Sequence, residues 1–221
     1  MRRVGWQVQM AVVLLGGFVA LGLISHASQS GSAADHRVLD WVVAQRNAWL
    51  TDVATLITDL GSPAAVALIA VGAATLISLR TRVARSAIVV VATVGLASVA
   101  SSLVKAVVRS NRPPSAVQLL SENDHSFPSG HVTGTAALLG ILAVIVGARS
   151  GHTFRLLVCA AVATFAVAAT RLYLGVHWLT DVSGGFLLGS AAVLLGSVFV
   201  PRPAGDTPKI IEEAVKPRLA R

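Results

Sequence analysis

The residues best suited to chemistry are cations, histidines and one carboxylate that recur at the ends of apolar segments. Arginine binds phosphate oxygens in bidentate fashion. A glycine where a helix begins lets an anion approach the free backbone N–H groups. The pattern therefore indicates phosphate chemistry, and the candidate residues are, in chain order, Lys105, Arg112, Ser129, Gly130, His131, Arg171, His177 and Asp181.

Two histidines in this set are suited to different tasks. His177 and Asp181 are four residues apart, so they share one face if both lie on a helix. A carboxylate bonded to one ring nitrogen fixes the tautomer and leaves the other nitrogen free as a nucleophile. His131 belongs to another segment and could protonate the leaving oxygen. The spacing thus predicts a nucleophile and a general acid on neighbouring segments.

The composition restricts the elements that carry these residues. Of the 221 residues, 54% are hydrophobic and 13% are charged, whereas soluble domains carry roughly 25% charged residues. So few charges exclude a soluble enzyme, and so many apolar residues exclude a disordered chain. The single cysteine, Cys159, excludes an internal disulfide.

Six stretches without Asp, Glu, Lys or Arg are candidates for membrane spans. Five match the ~17–25 residues that a spanning helix needs, and the fifth in chain order is short, which suggests that Arg155 or Arg171 lies within the membrane's thickness. We predict an all-α, polytopic membrane protein, with six transmembrane helices in residues 1–200 and a basic cytoplasmic tail in 201–221. The stretches are Val8–Ile24, Pro63–Leu79, Ser86–Val104, Val132–Ala148, Leu156–Thr170 and Val182–Val200.

The orientation follows from the distribution of positive charge. With the N-terminus in the cytoplasm, twelve of the eighteen Lys and Arg residues fall in inner segments, as the positive-inside rule requires. The net charge of +8 is then a topology signal and needs no nucleic-acid partner. This orientation predicts that both termini are cytoplasmic and that all candidate site residues lie on the extracytoplasmic side.

The first helix is predicted to be retained and not cleaved as a signal peptide, because its apolar run exceeds the usual ~7–15 residues. Between the first two spans, the periodicity over Val38–Leu60 predicts one amphipathic helix on the outer face, and an ordinary packing helix beneath the loops is the alternative.

Three motifs in order resemble the signature of the type 2 phosphatidic acid phosphatase (PAP2) family. They are Lys105, six residues, then Arg112-Pro113; Pro128-Ser129-Gly130-His131; and Arg171, five residues, His177, three residues, Asp181. Six helices with an outer amphipathic segment also resemble the family's membrane members. One departure is Thr170, where the family pattern usually has serine before the arginine.

The resemblance implies a role for each matching residue. His177 would form a phosphohistidine, Asp181 would orient it, and His131 would be the general acid and then the base for water. The phosphate oxygens would be held by Lys105, Arg112, Ser129, Gly130 and Arg171. The resemblance further implies a metal-independent phosphatase without a cofactor, which acts on a lipid phosphate or pyrophosphate in the plasma membrane.

Other interpretations of the same residues remain open. A lipid phosphotransferase would use the same intermediate, and a lipid-binding or transport protein would keep the cations without needing His177 and Asp181. The extracytoplasmic placement favours a polyprenyl pyrophosphate as substrate, with phosphatidic acid and phosphatidylglycerophosphate close behind. Glu122 and Asp124 are interpreted as a solvated loop and not as catalytic acids.

Overall fold

The computed structural model describes residues 2–82 and 84–201, and within these ranges it consists of helices and loops. Apart from Pro201, the predicted basic tail lies outside the described residues. A short 3-10 helix spans Ser115–Val117. The α-helices of the described ranges are α1 (Arg2–Ser28), α2 (Ala33–Ala44), α3 (Ala48–Leu60), α4 (Pro63–Thr81), α5 (Ala84–Val108), α6 (Gly130–Ser150), α7 (Thr153–Tyr173) and α8 (Leu179–Ser197).

Six of the helices in the described residues, namely α1 and α4 to α8, are long and apolar enough to cross a membrane. They coincide with the six predicted stretches, which confirms the all-α polytopic fold class. α7 extends beyond both ends of its charge-free stretch, because it includes Arg155 and Arg171. Arg171 is only 1% exposed, so the bundle encloses this arginine.

Large apolar side chains cover the outside of the bundle. Leu68 of α4, Leu79 of α4 and Val107 of α5 are each at least three-quarters exposed. Helices satisfy their own backbone hydrogen bonds and can therefore present such side chains to hydrocarbon. This surface is suited to lipid.

The interior is built around α6 and α8, which approach each other closely through small residues. A Cβ on Gly140 would lie 2.6 Å from a Val193 methyl carbon, and one on Gly189 would lie 2.6 Å from the Ala136 Cβ. Small residues at a helix interface allow such close packing inside a membrane. Any larger side chain at either glycine would force the two helices apart.

The segment between the first two spans is two helices, and the prediction of one helix over Val38–Leu60 is wrong. Asn47 begins α3, and its side chain accepts a hydrogen bond from Leu50 N at 3.0 Å. The connection is also fixed to the end of α7, because Arg46 Nε donates to Tyr173 O at 2.9 Å and Asn47 N donates to Tyr173 Oη at 2.9 Å. These contacts turn the chain between α2 and α3, at a point where the apolar periodicity of the sequence continues without a break.

Candidate active site

All eight candidate residues lie at one end of the bundle, where α5 and α7 finish and α6 and α8 begin; we call it the site end. Lys105 lies in the last turn of α5, and Arg171 in the last turn of α7. Ser129 is the N-cap of α6, and Asp181 lies in the first turn of α8. The helix bounds thus bring the ends of four consecutive membrane-spanning helices together at the site end.

His177 and Asp181 are in direct contact. His177 Nδ1 lies 3.2 Å from Asp181 Oδ2, and the same oxygen accepts hydrogen bonds from Trp178 N at 2.7 Å and from the Ser126 hydroxyl. His177 precedes the N-cap residue Trp178, so it lies in the loop before α8 and not on the helix. The contact thus forms between a loop residue and the first turn, and the predicted helical spacing is not its cause.

The other ring nitrogen of His177 faces a guanidinium. His177 Nε2 lies 3.2 Å from Arg112 Nη1. Arginine can only donate, so Nε2 must accept and carries the lone pair, while the proton sits on Nδ1 and points to Asp181. The hydrogen-bond network therefore assigns the tautomer that a nucleophilic Nε2 requires.

Burial is the main reason why the pKa of His177 lies well below its usual value, and the positive charges of Arg112, Arg171 and Lys105 lower it further. The ring is 2% exposed. Desolvation and nearby cations both disfavour the imidazolium. His177 is consequently neutral at pH 7, which is the state in which it can attack an electrophile.

Glu122 and Asp124 lie in a loop, as predicted, and Asp124 is 56% exposed, but both carboxylates pair with the cations of the site. Lys105 Nζ lies 3.1 Å from Asp124 Oδ2. Arg112 forms an ion pair with Asp124 and lies 3.7 Å from Glu122 Oε2. Arg171 forms an ion pair with Glu122. Nothing in the local sequence indicates these pairs, because they depend on how the loop folds back over the ends of α5 and α7.

Asp124 is an anion in this setting. Burial by itself raises the pKa of the Asp124 carboxyl, but the charges and hydrogen bonds of Lys105 and Arg112 outweigh it, and the pKa lies below its usual value. The carboxylate thus compensates the cations at neutral pH.

Arg171 is anchored from a second direction by α3. Arg171 Nη1 donates to Thr58 Oγ1 at 3.0 Å, and Thr58 is 1% exposed. The neighbouring Thr170 hydroxyl, at the position where the sequence departs from the usual motif, donates to Val167 O at 2.7 Å. Arg171 is therefore positioned by α3 and by Glu122, and Thr58 is a residue that the sequence did not indicate.

The start of α6 offers hydrogen-bond donors. The first N–H groups of a helix, here at Gly130 and His131, have no acceptor within it. Ser129 Oγ and Arg171 Nε are two of the buried side-chain donors in the described residues that lack a hydrogen-bond partner, and at the site end the acceptor Asp181 Oδ1 lacks one as well. Buried donors without partners are costly unless a ligand satisfies them. A phosphate group, which carries only acceptor oxygens, fits this requirement.

Residues 86–203 match the family model of the PAP2 superfamily, and this match covers just over half of the chain. The chain belongs to the PAP2 superfamily. The PAP2 resemblance of the three motifs is thereby confirmed, and the chain is a multi-pass membrane lipid phosphatase of this superfamily.

Two solved structures and one curated relative are similar to the chain. Phosphatidylglycerophosphatase B of Bacillus subtilis (strain 168) is 30% identical over 178 residues, which are 78% of this chain and 85% of that protein. The crystal structure of the first transmembrane PAP2 type phosphatidylglycerolphosphate phosphatase from Bacillus subtilis superposes with a TM-score of 0.78 at 29% identity, covering 86% of this chain and 94% of that one. Aquifex aeolicus LpxE shares the fold, with a TM-score of 0.63 at 18% identity over 76% of this chain and 96% of that one.

Outside the PAP2 motifs, the buried carboxylate of Asp35 ties α2 to the start of α8. Asp35 Oδ1 accepts from Thr180 N at 2.8 Å, and Oδ2 accepts from Thr180 Oγ1 at 3.2 Å and from Ser32 N at 2.8 Å. Asp35 is 1% exposed, and Thr180 lies next to Asp181. The Ser-x-x-Asp pattern from Ser32 is a helix-start signal in the sequence, but it gives no hint of the contact with α8. Asp35 is therefore a candidate positioning residue.

Replacing Asp35 by alanine is expected to lower kcat by about tenfold or more and to leave KM within about twofold. The loss leaves the Thr180 N–H buried without an acceptor, at a cost of about 1–3 kcal/mol, and it releases the start of α8. Phosphate release should be measured at several substrate concentrations. Asp40→Ala, at an exposed position of the same helix, is the matched control. An unchanged kcat for Asp35→Ala would rule out the positioning role.

Proposed function

We propose that this protein hydrolyses a lipid phosphate or pyrophosphate at the extracytoplasmic leaflet, through a phosphohistidine on His177 and without a metal. The observation that carries the proposal is the pair of contacts of the His177 ring, with Nδ1 on Asp181 and Nε2 next to Arg112. A neutral ring with its lone pair directed into a group of cations is suited to attack a phosphate that those cations hold.

The first chemical step transfers the phosphoryl group to the histidine. Nε2 of His177 forms a bond to phosphorus, and the bond from phosphorus to the leaving oxygen breaks. His131 gives its proton to that oxygen, so the leaving group departs as a lipid alcohol or as a singly protonated lipid phosphate. Asp181 keeps the ring oriented and stabilises the positive charge that develops on it.

The second step returns the enzyme to its starting state. His131, now deprotonated, takes a proton from a water molecule that attacks the phosphohistidine. The bond from phosphorus to Nε2 breaks, and inorganic phosphate leaves. His131 is then protonated again and His177 is neutral. In the alternative phosphotransferase, another hydroxyl takes the place of this water molecule.

The phosphate oxygens are held by the cations and by the start of α6. Lys105, Arg112 and Arg171 surround the His177 ring closely enough to lower its pKa. The partnerless donors at Ser129 and Arg171 and the backbone at Gly130 supply further hydrogen bonds. Three fixed cations supply the charge stabilisation that metal ions provide in many phosphoryl-transfer enzymes, and this supports a metal-independent reaction.

Two further parts of the proposal rest on other observations. The extracytoplasmic leaflet is supported by the excess of Lys and Arg in the segments at the opposite end of the bundle. Among the candidate substrates, the name of the Bacillus subtilis relative now favours phosphatidylglycerophosphate over polyprenyl pyrophosphate and phosphatidic acid.

The test is phosphate release by the protein purified in detergent with EDTA present. Phosphatidylglycerophosphate, phosphatidic acid, diacylglycerol pyrophosphate and polyprenyl pyrophosphate form the substrate panel. We expect turnover of at least one lipid that EDTA does not reduce, and turnover by right-side-out vesicles when the lipid is added outside. Absence of turnover across the panel would contradict the proposal. Label recovered on an added alcohol, with no free phosphate, would identify a phosphotransferase.

A further inference from the structure

The cations of the candidate site are already paired with carboxylates of the protein itself. Glu122 pairs with Arg171, and Asp124 pairs with Arg112 and Lys105. Both carboxylates lie in the loop between α5 and α6, and neither belongs to a PAP2 motif. The groups assigned to the substrate phosphate are thus engaged by two anionic side chains.

We propose that Glu122 and Asp124 act as an internal substitute for the substrate phosphate, which a headgroup must displace, and that they thereby select headgroups by charge. The proposal rests on the proposed function, because it takes Lys105, Arg112 and Arg171 as the phosphate-binding residues.

The charges make the exchange selective. The two carboxylates together carry a charge of −2 opposite three cations. A phosphomonoester has a second pKa of about 6, so it carries nearly −2 at pH 7 and replaces the pair charge for charge. A phosphodiester carries −1, so in place of the pair it would leave two of the three cations uncompensated, one more than the carboxylates leave, which is costly in a largely buried site.

This distinction bears on a site that faces lipid. Ordinary membrane phospholipids are phosphodiesters, and they surround the protein in large excess over any phosphomonoester lipid. A cationic site without internal anions would bind their headgroups as well. Glu122 and Asp124 make the monoanion a poor competitor and leave the dianion as the preferred ligand.

The burial of the two partners shows which of them can move. The side chains of Arg171 and Arg112 are 1% and 8% exposed, whereas those of Glu122 and Asp124 are 25% and 56% exposed. The cations are also held by other groups, for example Arg171 by Thr58 and Arg112 by the Val176 carbonyl. The carboxylates can therefore turn towards water on a loop while the cations stay in place.

A purely structural role for these ion pairs leads to opposite expectations. If the carboxylates only held the cations in position, their loss would let Arg112 and Arg171 drift, and every phosphate ligand would bind more weakly. If they compete with the substrate, their loss strengthens anion binding. The gain is similar for both ligands, because in each case the same contacts between carboxylates and cations no longer have to be broken.

The experiment uses Glu122→Gln, Asp124→Asn and the double variant, with Asp52→Asn at an exposed position of α3 as the matched control. Hydrolysis of the best phosphomonoester lipid is measured in mixed micelles with increasing phosphatidylglycerol, a phosphodiester. We expect the inhibition constant of phosphatidylglycerol to fall about tenfold or more in the double variant, and KM to fall with it. The single variants should lie between the double variant and the wild type, and Asp52→Asn should match the wild type.

Two outcomes would overturn the inference: no change in either constant, or weaker binding of both ligands. If the wild type hydrolyses no lipid, the proposed function has failed and the inference is still testable. Calorimetry of the purified variants with methyl phosphate and with dimethyl phosphate compares dianion and monoanion binding without turnover. Failure of the double variant to fold leaves the two single variants, for which the same comparison holds.

Discussion

Replacement of His177 by alanine is expected to abolish phosphate release, with a loss in kcat on the order of 10⁶-fold, the scale seen when a nucleophile is removed from an enzyme. The covalent path is lost, and neither Arg112 nor Asp181 supplies another nucleophile. The measurement is phosphate release in detergent, combined with brief incubation with a substrate labelled in its phosphate. The wild type should carry an acid-labile, base-stable label, and the variant should carry none.

The control for this prediction is another histidine. His152 is exposed and lies just before α7, at the end of the bundle opposite to the site. His152→Ala should retain wild-type kcat and wild-type labelling. A His177→Ala protein that is folded and still becomes labelled would show that the phosphoryl group is carried by a different residue.

Replacement of His131 by alanine is expected to lower kcat on lipid substrates by ~10²–10⁴-fold, the usual range for loss of a general acid. The effect should depend on the leaving group, because an alkoxide needs a proton to depart and an aryloxide does not. An aryl phosphate should therefore lose much less activity than a lipid phosphate in the same variant. Labelled phosphohistidine should accumulate with the aryl substrate, since His131 is also the base for the second step.

The comparison between the two substrates separates this role from a structural one. Distortion of the site would reduce hydrolysis of both substrates by similar factors. Equal losses for the lipid and the aryl phosphate would therefore contradict the assignment of His131 as the acid. The His152→Ala variant again supplies the control for both substrates.

The membrane-spanning helices could be predicted from sequence because lipid imposes a simple rule on every span. A run of about twenty apolar residues without charge can be identified from the local sequence, without any knowledge of tertiary contacts. The grouping of the three motifs could be predicted for a similar reason. Because successive spans alternate in direction, the end of α5 and the start of α6 must lie at the same end of the bundle. These features depend on order along the chain and on little else.

The features that the sequence did not reveal depend on contacts between distant segments. The break between α2 and α3 is fixed by Tyr173, more than 120 residues away. Asp35 reaches Thr180 across 145 residues. Glu122 and Asp124 carry no local pattern, and only the folded loop brings them onto the cations. In each case a polar side chain acquires its partner through tertiary packing. Without knowledge of that partner, the sequence predicts only an exposed polar residue.

The placement of His177 was predicted for a partly wrong reason. Four residues separate it from Asp181, and a helix would bring them together, but His177 lies outside α8. The contact forms because the Asp181 carboxylate accepts a hydrogen bond from Trp178 N and so caps the start of α8. This bond directs the carboxylate back towards the loop that carries His177. Sequence spacing thus gave the right pair, and helix capping supplies the geometry.

The first turns of α6 and α8 are also joined by their main chains, because Ser129 N donates to Asp181 O at 3.0 Å. This bond couples the segment that leads into His131 with the helix turn that orients His177. Because it joins main-chain atoms, it needs no particular side chain at Ser129 or Asp181. The segments that carry the proposed proton donor and the proposed nucleophile are therefore linked to each other directly. We expect the distance between these two groups to change little when other helices shift to admit lipids of different length or bulk.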